Sequence, residues 1–320
     1  MAIAPSLDKI RNAEALLRQH LSPTPLQPAP SFSRPDCGAF LKVETGLPTG
    51  SFKPRGALYG LTVRLQQGPV SEVVASSTGN HGAAVAWAAK ALGVPATIFL
   101  PANPNPVKRK KIADLGARII ENGGPDLADA FLQANEYAQR PGVYFLNDAT
   151  DKDLPAGPAT IGVEILAQLP DVTAIYVPMG DTALIRGVAA AVTHLAPQVR
   201  VIGVQAELAP SYYLSWRQGS AVPTETCDTC ADGLATRTPE PENVAAIREL
   251  VADVCLVSEE EIIAAIAHLY RDENIIAEPA GAAAAAAFLN ARDTRGPVAL
   301  LVTGGNLTDE LRKRAGLPPT

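Results

Sequence analysis

The 320-residue chain predicts an α/β fold of open, twisted, mainly parallel sheets with helices on both faces, and two observations carry that expectation. From Val70 onward, short β-rich runs alternate with longer helical patterns, the sequence form of parallel strands joined by crossover helices and covered on both faces. Hydrophobic residues make up 47% of the chain, which supplies a core for two domains or one large one with an insertion.

Taken in order, residues 1–35 open with an amphipathic helix that puts Leu7, Ile10, Ala13, Leu16 and Leu17 on one face. The Pro-rich segment Ser22-Pro23-Thr24-Pro25-Leu26 must then be extended, because a residue before proline avoids the helical region. An apolar run, Phe40-Leu41-Lys42-Val43, leads through a turn rich in Gly and Pro to the helix-like run Ala57-Leu58-Tyr59-Gly60-Leu61. Val73-Val74-Ala75 precedes a helix at about 80–92, Ala96 to Leu100 one at about 105–115, and Ala117 to Ile120 one at about 126–139. Further strands are expected at Thr173 to Val177, Val199 to Val204 and Val298 to Val302, each followed by a helical pattern. The Ala-rich stretch Ala282 to Ala287 reads as a buried helix, since Ala is the strongest helix former and its small side chain permits close packing. Right-handed crossovers gather the loop-bearing strand ends on one edge of each sheet, where a ligand should meet them.

Composition narrows the function. With 27 basic and 33 acidic residues the net charge is −6, which argues against a polyanion-binding surface and so against nucleic acid as a partner. Neither a basic segment followed by an apolar core nor a long apolar run is present, so membrane insertion is not expected and a cytoplasmic location follows. Cys37, Cys227, Cys230 and Cys255 are too scattered for a disulfide framework, and the lone pair Cys227-Asp228-Thr229-Cys230 lacks a second pair of metal ligands.

Two motifs carry chemistry. In Thr49-Gly50-Ser51-Phe52-Lys53-Pro54-Arg55-Gly56, a lysine stands at the junction of an apolar run, a turn and a helix; burial there would lower its pKa and free its amine for Schiff-base chemistry with an aldehyde. Alone, the same run also suits a lysine opening a solvated helix. Ser76-Ser77-Thr78-Gly79-Asn80-His81-Gly82 follows a strand and opens a helix, so its amides and hydroxyls form a concavity for a carboxylate or phosphate. A simple Ser/Thr cap would explain the hydroxyls but not the Asn and His behind them.

Together these runs resemble the fold-type II pyridoxal-phosphate (PLP) enzymes, specifically the serine/threonine dehydratase and serine racemase family, and the similarity extends over nearly the whole chain. The resemblance implies two open twisted sheets of the tryptophan synthase β-like kind. A large domain would comprise 1–50 and 150–320, and a small one, 51–149, would close over the active site. It implies pyridoxal 5'-phosphate as cofactor, an amino-acid substrate and a homodimer. Lys53 would hold the cofactor covalently with Phe52 beside the ring, and Asn80 would bond the ring hydroxyl. Ser77, Thr78, Gly79, Asn80 and His81 would bind the substrate carboxylate.

The phosphate would lie on the loop Gly180, Asp181, Thr182, Ala183 and Leu184, where relatives carry a run of glycines and this chain keeps only the first. Asp181 beside a dianion is repulsive unless its carboxylate turns away, whereas the Thr182 hydroxyl adds a donor. Asn147 matches a residue near the phosphate, Gly233 an active-site glycine, and Glu278 the acidic residue of a Glu-Pro-x-Gly segment near the ring. Thr303 would face the pyridine nitrogen; a hydroxyl there leaves the cofactor a weaker electron sink, suited to expelling a β-leaving group.

The implied activity is a PLP-dependent lyase, an ammonia-lyase of the serine/threonine dehydratase type. It would eliminate water from serine, threonine or a bulkier 3-hydroxy amino acid, giving a 2-oxo acid and ammonia, with Lys53 as the base. Racemisation needs a second base, for which Thr78 is the candidate. Racemase, β-replacement or threonine synthase chemistry on the same fold is the alternative, and a non-catalytic PLP-binding module a more remote one. No metal is assigned: Glu207 matches one ligand seen in some relatives, but Tyr213 falls where an acidic one is expected.

Overall fold

The structure, a computed structural model, describes residues 4–77, 79–102, 106–121, 127–291 and 294–319. Its larger sheet has six strands in the order β1 (Leu26–Pro28), β2 (Ala39–Val43), β10 (Val298–Val302), β7 (Ala174–Pro178), β8 (Arg200–Ala206) and β9 (Asp253–Val257). Only β1 runs antiparallel to its neighbour. The smaller sheet is wholly parallel, in the order β5 (Arg118–Ile120), β4 (Ala96–Phe99), β3 (Glu72–Ser76) and β6 (Val143–Phe145). Strands β2, β3, β4, β5, β7, β8 and β10 fall on the expected apolar runs. The sequence reading gives no strand at β1, β6 or β9. Both β6 and β9 are edge strands; β6 has no fully buried residue and β9 is of mixed burial, although each carries a short apolar run.

Helices cover both faces of each sheet. One face of the larger sheet packs on α10 (Glu259–Glu273) and the alanine helix α11 (Pro279–Asn290), in which Ala282 to Ala287 are all buried. The other packs on α6 (Ala156–Gln168), α7 (Ala183–Leu195) and α9 (Pro241–Leu250). In the smaller sheet, α2 (Lys53–Gln67) and α3 (Asn80–Leu92) cover one face and α5 (Leu127–Tyr137) the other. Helix α4 (Pro106–Asp114) packs against α3, and α1 (Leu7–Leu17) has the expected amphipathic face, with Ile10, Ala13 and Leu17 buried.

Two local devices fix the helices beside the crevice. A Cβ on Gly157 would stand 2.3 Å from the Arg55 carbonyl oxygen, and one on Gly187 2.3 Å from that of Pro155, so α6 lies against both α2 and α7 at a distance only glycine allows. Arg55, two residues after Lys53, is buried in a polar knot. Its Nε and Nη2 donate to Glu44 Oε2 (2.8 Å) and Oε1 (3.1 Å), and its Nη1 and Nη2 to Glu164 Oε1 (2.6 Å) and Oε2 (3.0 Å). Lys42 Nζ adds a bond to Glu164 Oε2 at 2.6 Å. The knot ties α2 to β2 and α6, and the paired carboxylates hold the Arg55 guanidinium above its ordinary pKa despite burial.

Candidate active site

Pro54 sits in the first turn of α2, where its missing N–H is no loss and its fixed φ suits the helix; α2 therefore begins at Lys53 itself. The Phe52 N–H donates to the Thr303 carbonyl (2.9 Å), and Ser51 forms an isolated bridge with Gly304. These contacts stitch the start of α2 to the end of β10. Lys53 thereby reaches a cavity of about 380 Å³ bounded by the carboxyl ends of strands from both sheets: Ser76 closes β3, Pro178 closes β7, and Thr303 follows β10.

Within the cavity Lys53 Nζ is ion-paired with Asp148 Oδ2, and the side chain is 21% exposed. Burial pulls the ammonium pKa down, but the carboxylates of Asp148, Asp181 and Glu278 outweigh it, and the net direction is up. This corrects the expectation of a lowered lysine pKa: the site holds the proton on Lys53 with a dedicated partner. Burial pushes the Asp148 carboxyl up, yet His81 and Lys53 hold it well below its usual range. Asp181 is pushed up to about 6 by burial and by the neighbouring Asp148, with Lys53 opposing. His81 is buried and lowered by burial and by Lys53, so it is neutral at physiological pH. Its Nε2 lies 2.8 Å from the Leu146 carbonyl, which can only accept, so that nitrogen carries the proton.

On one wall, the Gly79 N–H donates to Ser77 Oγ at 3.2 Å, and α3 starts at Asn80 with no side-chain cap. Ser76 Oγ is buried without a hydrogen-bond partner and borders the same cavity. A chain of carboxamides fixes Asn80. Lys111 Nζ donates to Asn306 Oδ1 (2.7 Å) and to the Thr49 carbonyl, Asn306 Nδ2 donates to Asn80 Oδ1 (2.6 Å), and Asn80 Nδ2 donates to Glu278 Oε1 (2.6 Å). With its oxygen accepting from Asn306 and one N–H given to Glu278, Asn80 has one N–H left to donate, and it borders the cavity.

The opposite wall is the loop from Pro178 to Leu184. Its Gly180 lies against Gly233, since a Cβ there would stand 2.3 Å from the Gly233 carbonyl oxygen; Gly233 itself sits in a short 3-10 helix, Asp232–Leu234. Thr182 is the N-cap of α7, adopts φ 70°, and makes no side-chain cap, so the first amides of α7 have no side-chain acceptor. The Asp181 carboxylate accepts from Thr236 Oγ1 at 3.0 Å.

A phosphate-bearing aldehyde fits this donor set. The uncapped amides of α7 and the orphaned Ser76 hydroxyl suit an anion, Lys53 supplies the amine, and Gly180 and Gly233 leave no side chain in the way.

Most residues singled out from the sequence line this one cavity: Phe52, Lys53, Ser77, Gly79, Asn80, His81, the loop Gly180 to Leu184, Gly233, Glu278 and Thr303. Thr78 lies outside the described residues. Two residues stand differently from expectation. Asn147 does not line the cavity; its Oδ1 accepts from the Ala149 N–H at 3.0 Å, while the next residue, Asp148, enters it. His81 borders the cavity, but its Nε2 is already committed to Leu146. Sequence reasoning did not single out Asp148, Asp232, Ala235 or Ala280, nor Cys227 as a lining residue. Adjacency to Asn147 was the available signal for Asp148, and the run Ala231-Asp232-Gly233 for Asp232. Among the described residues no group of His, Cys, Asp and Glu is arranged to hold a metal.

The pyridoxal-phosphate dependent enzyme family profile matches residues 17–304. An L-threonine ammonia-lyase of Geobacter sulfurreducens is 37% identical over 301 residues, 93% of this chain and 75% of the relative. An L-threonine dehydratase of Staphylococcus aureus is 33% identical over 310 residues, 94% of this chain and 89% of the relative. Among solved structures, maize serine racemase superposes with a TM-score of 0.91 at 27% identity, covering 98% of this chain and 97% of that one. The processed form of threonine deaminase isoform 2 from Solanum lycopersicum gives 0.88 at 27% identity, covering 98% and 94%. A profile match across most of the chain, with a lysine, a serine-rich turn and an uncapped helix meeting at one crevice, shows that the chain belongs to the pyridoxal-phosphate dependent enzymes, in the fold-type II family of serine/threonine dehydratases and serine racemases.

Proposed function

We propose that this enzyme removes water from a 3-hydroxy amino acid, serine, threonine or a bulkier relative, and releases a 2-oxo acid and ammonia. The observation that carries this reading is the Lys53 amine held on Asp148, inside a crevice flanked by the Ser76–Asn80 turn and the uncapped start of α7. Bound pyridoxal phosphate supplies an electron sink that makes an amino acid's α-proton labile and its β-hydroxyl a leaving group.

The rest is done by this chain. The Lys53 amine takes the α-proton at Nζ, and the Asp148 carboxylate stabilises the ammonium that results. Gly79, Ser77 and the first residues of α3 receive the substrate carboxylate through amides and hydroxyls. With the cofactor bound, Asn80, oriented by Asn306 and Glu278, would donate its remaining N–H to the ring hydroxyl, and Phe52 would pack beside the ring. Thr303, buried beside Phe52, would offer a neutral hydroxyl to the ring nitrogen, which would favour expulsion of the β-group over a long-lived carbanion.

Supporting the substrate class, relatives at 33–37% identity are named L-threonine ammonia-lyases and dehydratases. Incubation with L-serine, L-threonine and longer 3-hydroxy amino acids should yield 2-oxo acid and ammonia in equal amounts. Failure across the panel would remove the reading, and inverted but uneliminated substrate on chiral analysis would replace it with racemisation. We propose further that residues 51–149 close over the crevice as a unit, and that the enzyme acts as a cytoplasmic homodimer. Among the described residues no helix is long and apolar enough to cross a membrane. Sedimentation at micromolar concentration tests the dimer; a single species of 33.4 kDa would refute it.

A further inference from the structure

The altered loop raises a physical question. Where a run of glycines would leave bare amides, this chain puts a β-branched residue, Thr182, at φ 70°, a conformation such residues avoid at a cost of about 1–3 kcal/mol. Directly beneath it is Arg186, one turn into α7 and with no exposed surface. Its backbone N–H donates to the Thr182 carbonyl (2.9 Å), its Nε to Thr182 Oγ1 (3.1 Å), and its Nη2 to the Ala149 carbonyl (3.3 Å). Burial lowers the guanidinium to about 10, with Tyr212, Asp181 and Asp148 opposing, so it remains a cation at physiological pH.

A guanidinium has donors and no acceptor, so the Thr182 oxygen must accept from Arg186, and its single proton is left to donate elsewhere. Thr182 borders the cavity. We propose that Arg186 is a cofactor-positioning residue: it makes the Thr182 hydroxyl an obligate donor to the cofactor phosphate, adding a side-chain donor to the backbone amides that the loop already offers. Together with Lys53, the same cation offsets the charge of Asp181, whose Oδ1 is engaged by Thr236. The inference rests on the phosphate lying at residues 180–184, and it requires nothing of the substrate.

Removing the phosphate from the ligand tests it. The full-length protein, stripped of cofactor, is titrated with pyridoxal phosphate and separately with pyridoxal, following visible absorbance. A hydrogen bond to a charged group predicts that Thr182→Val and Arg186→Met each weaken pyridoxal phosphate about ten- to hundredfold, while pyridoxal affinity changes less than about threefold. Thr182→Ser, which keeps the hydroxyl, stays within about threefold of the parent for both ligands, and the double variant is no weaker than Arg186→Met alone. Equal weakening of both ligands in Thr182→Val, or undiminished pyridoxal phosphate affinity in that variant, overturns the proposal. Should Arg186→Met fail to fold, the Thr182 pair decides alone. No turnover is measured, so failure of the dehydratase reading leaves this result interpretable.

Discussion

Replacing Asp148 by Asn tests the electrostatic centre of the site most directly. Asp148 meets Lys53 Nζ in an ion pair, and its charge is the foremost influence opposing the pull of burial on that ammonium. Two unit charges about 4 Å apart at an effective dielectric of about 20 attract by about 4 kcal/mol. An Asn carboxamide still accepts a hydrogen bond worth about 1 kcal/mol, so Asp148→Asn forfeits about 3 kcal/mol of support for the charged amine. At about 1.4 kcal/mol per decade, the uncharged fraction of Lys53 at pH 7 should rise about a hundredfold. Stripped protein mixed with pyridoxal phosphate between pH 6 and 9 reads this out as the rate of covalent capture, with borohydride reduction and mass spectrometry fixing the attachment to Lys53. The variant should capture faster at pH 7, and its rate should level off at lower pH than the parent's. Superimposable pH–rate profiles would refute the claim that Asp148 sets the protonation of Lys53.

Three further outcomes follow from the geometry. Arg55→Met leaves the buried Glu44 and the partly buried Glu164 carboxylates without their main partner and should destabilise the fold by about 3–5 kcal/mol in urea titrations; a change below about 1 kcal/mol would show that the knot contributes little. Gly180→Ala forces a Cβ to within 2.3 Å of the Gly233 carbonyl oxygen, so the two loops must part, and cofactor affinity should fall at least about tenfold by fluorescence titration. Asp181 keeps its proton in the folded protein up to a pH of about 6 but releases it near 3.8 when unfolded, so the native state binds more protons in that interval. Its contribution to stability therefore declines as pH rises from about 4 to 6, by up to roughly 3 kcal/mol, and Asp181→Asn should flatten that slope in urea midpoints measured across the range.

Much of the fold is legible in the chain because its central strands are short apolar runs with no competing helical period. Val73 to Ala75 and Val298 to Val302 are read correctly for that reason, and α2 is announced by Pro54 at its first turn. The edge strands β6 and β9 carry comparable short runs, Val143 to Phe145 and Val254 to Val257, which the sequence reading passes over. At the site, residues whose role follows from local backbone geometry, such as the turn before Asn80 and the junction before Ala183, could be found from sequence order alone. Asp148 is signalled only by its adjacency to Asn147; in the fold it is Asn147 that turns back to the Ala149 N–H and Asp148 that enters the crevice. Arg186 is silent: inside the apolar helical run Ala183 to Leu195 it reads as an isolated charge, and its meaning comes from what lies above it.

Lys111 reaches from a helix of the smaller sheet to Thr49 and Asn306, which belong to the other half of the molecule. Asn306 also donates to the Thr49 carbonyl (3.0 Å), so that carbonyl and the Lys111 cation together fix which end of its carboxamide faces Asn80. On the other side of Asn80 the Glu278 carboxylate can only accept, so both neighbours select the same orientation. The orientation of Asn80 is thus doubly determined by residues outside α3, and loss of either neighbour alone should leave it unchanged.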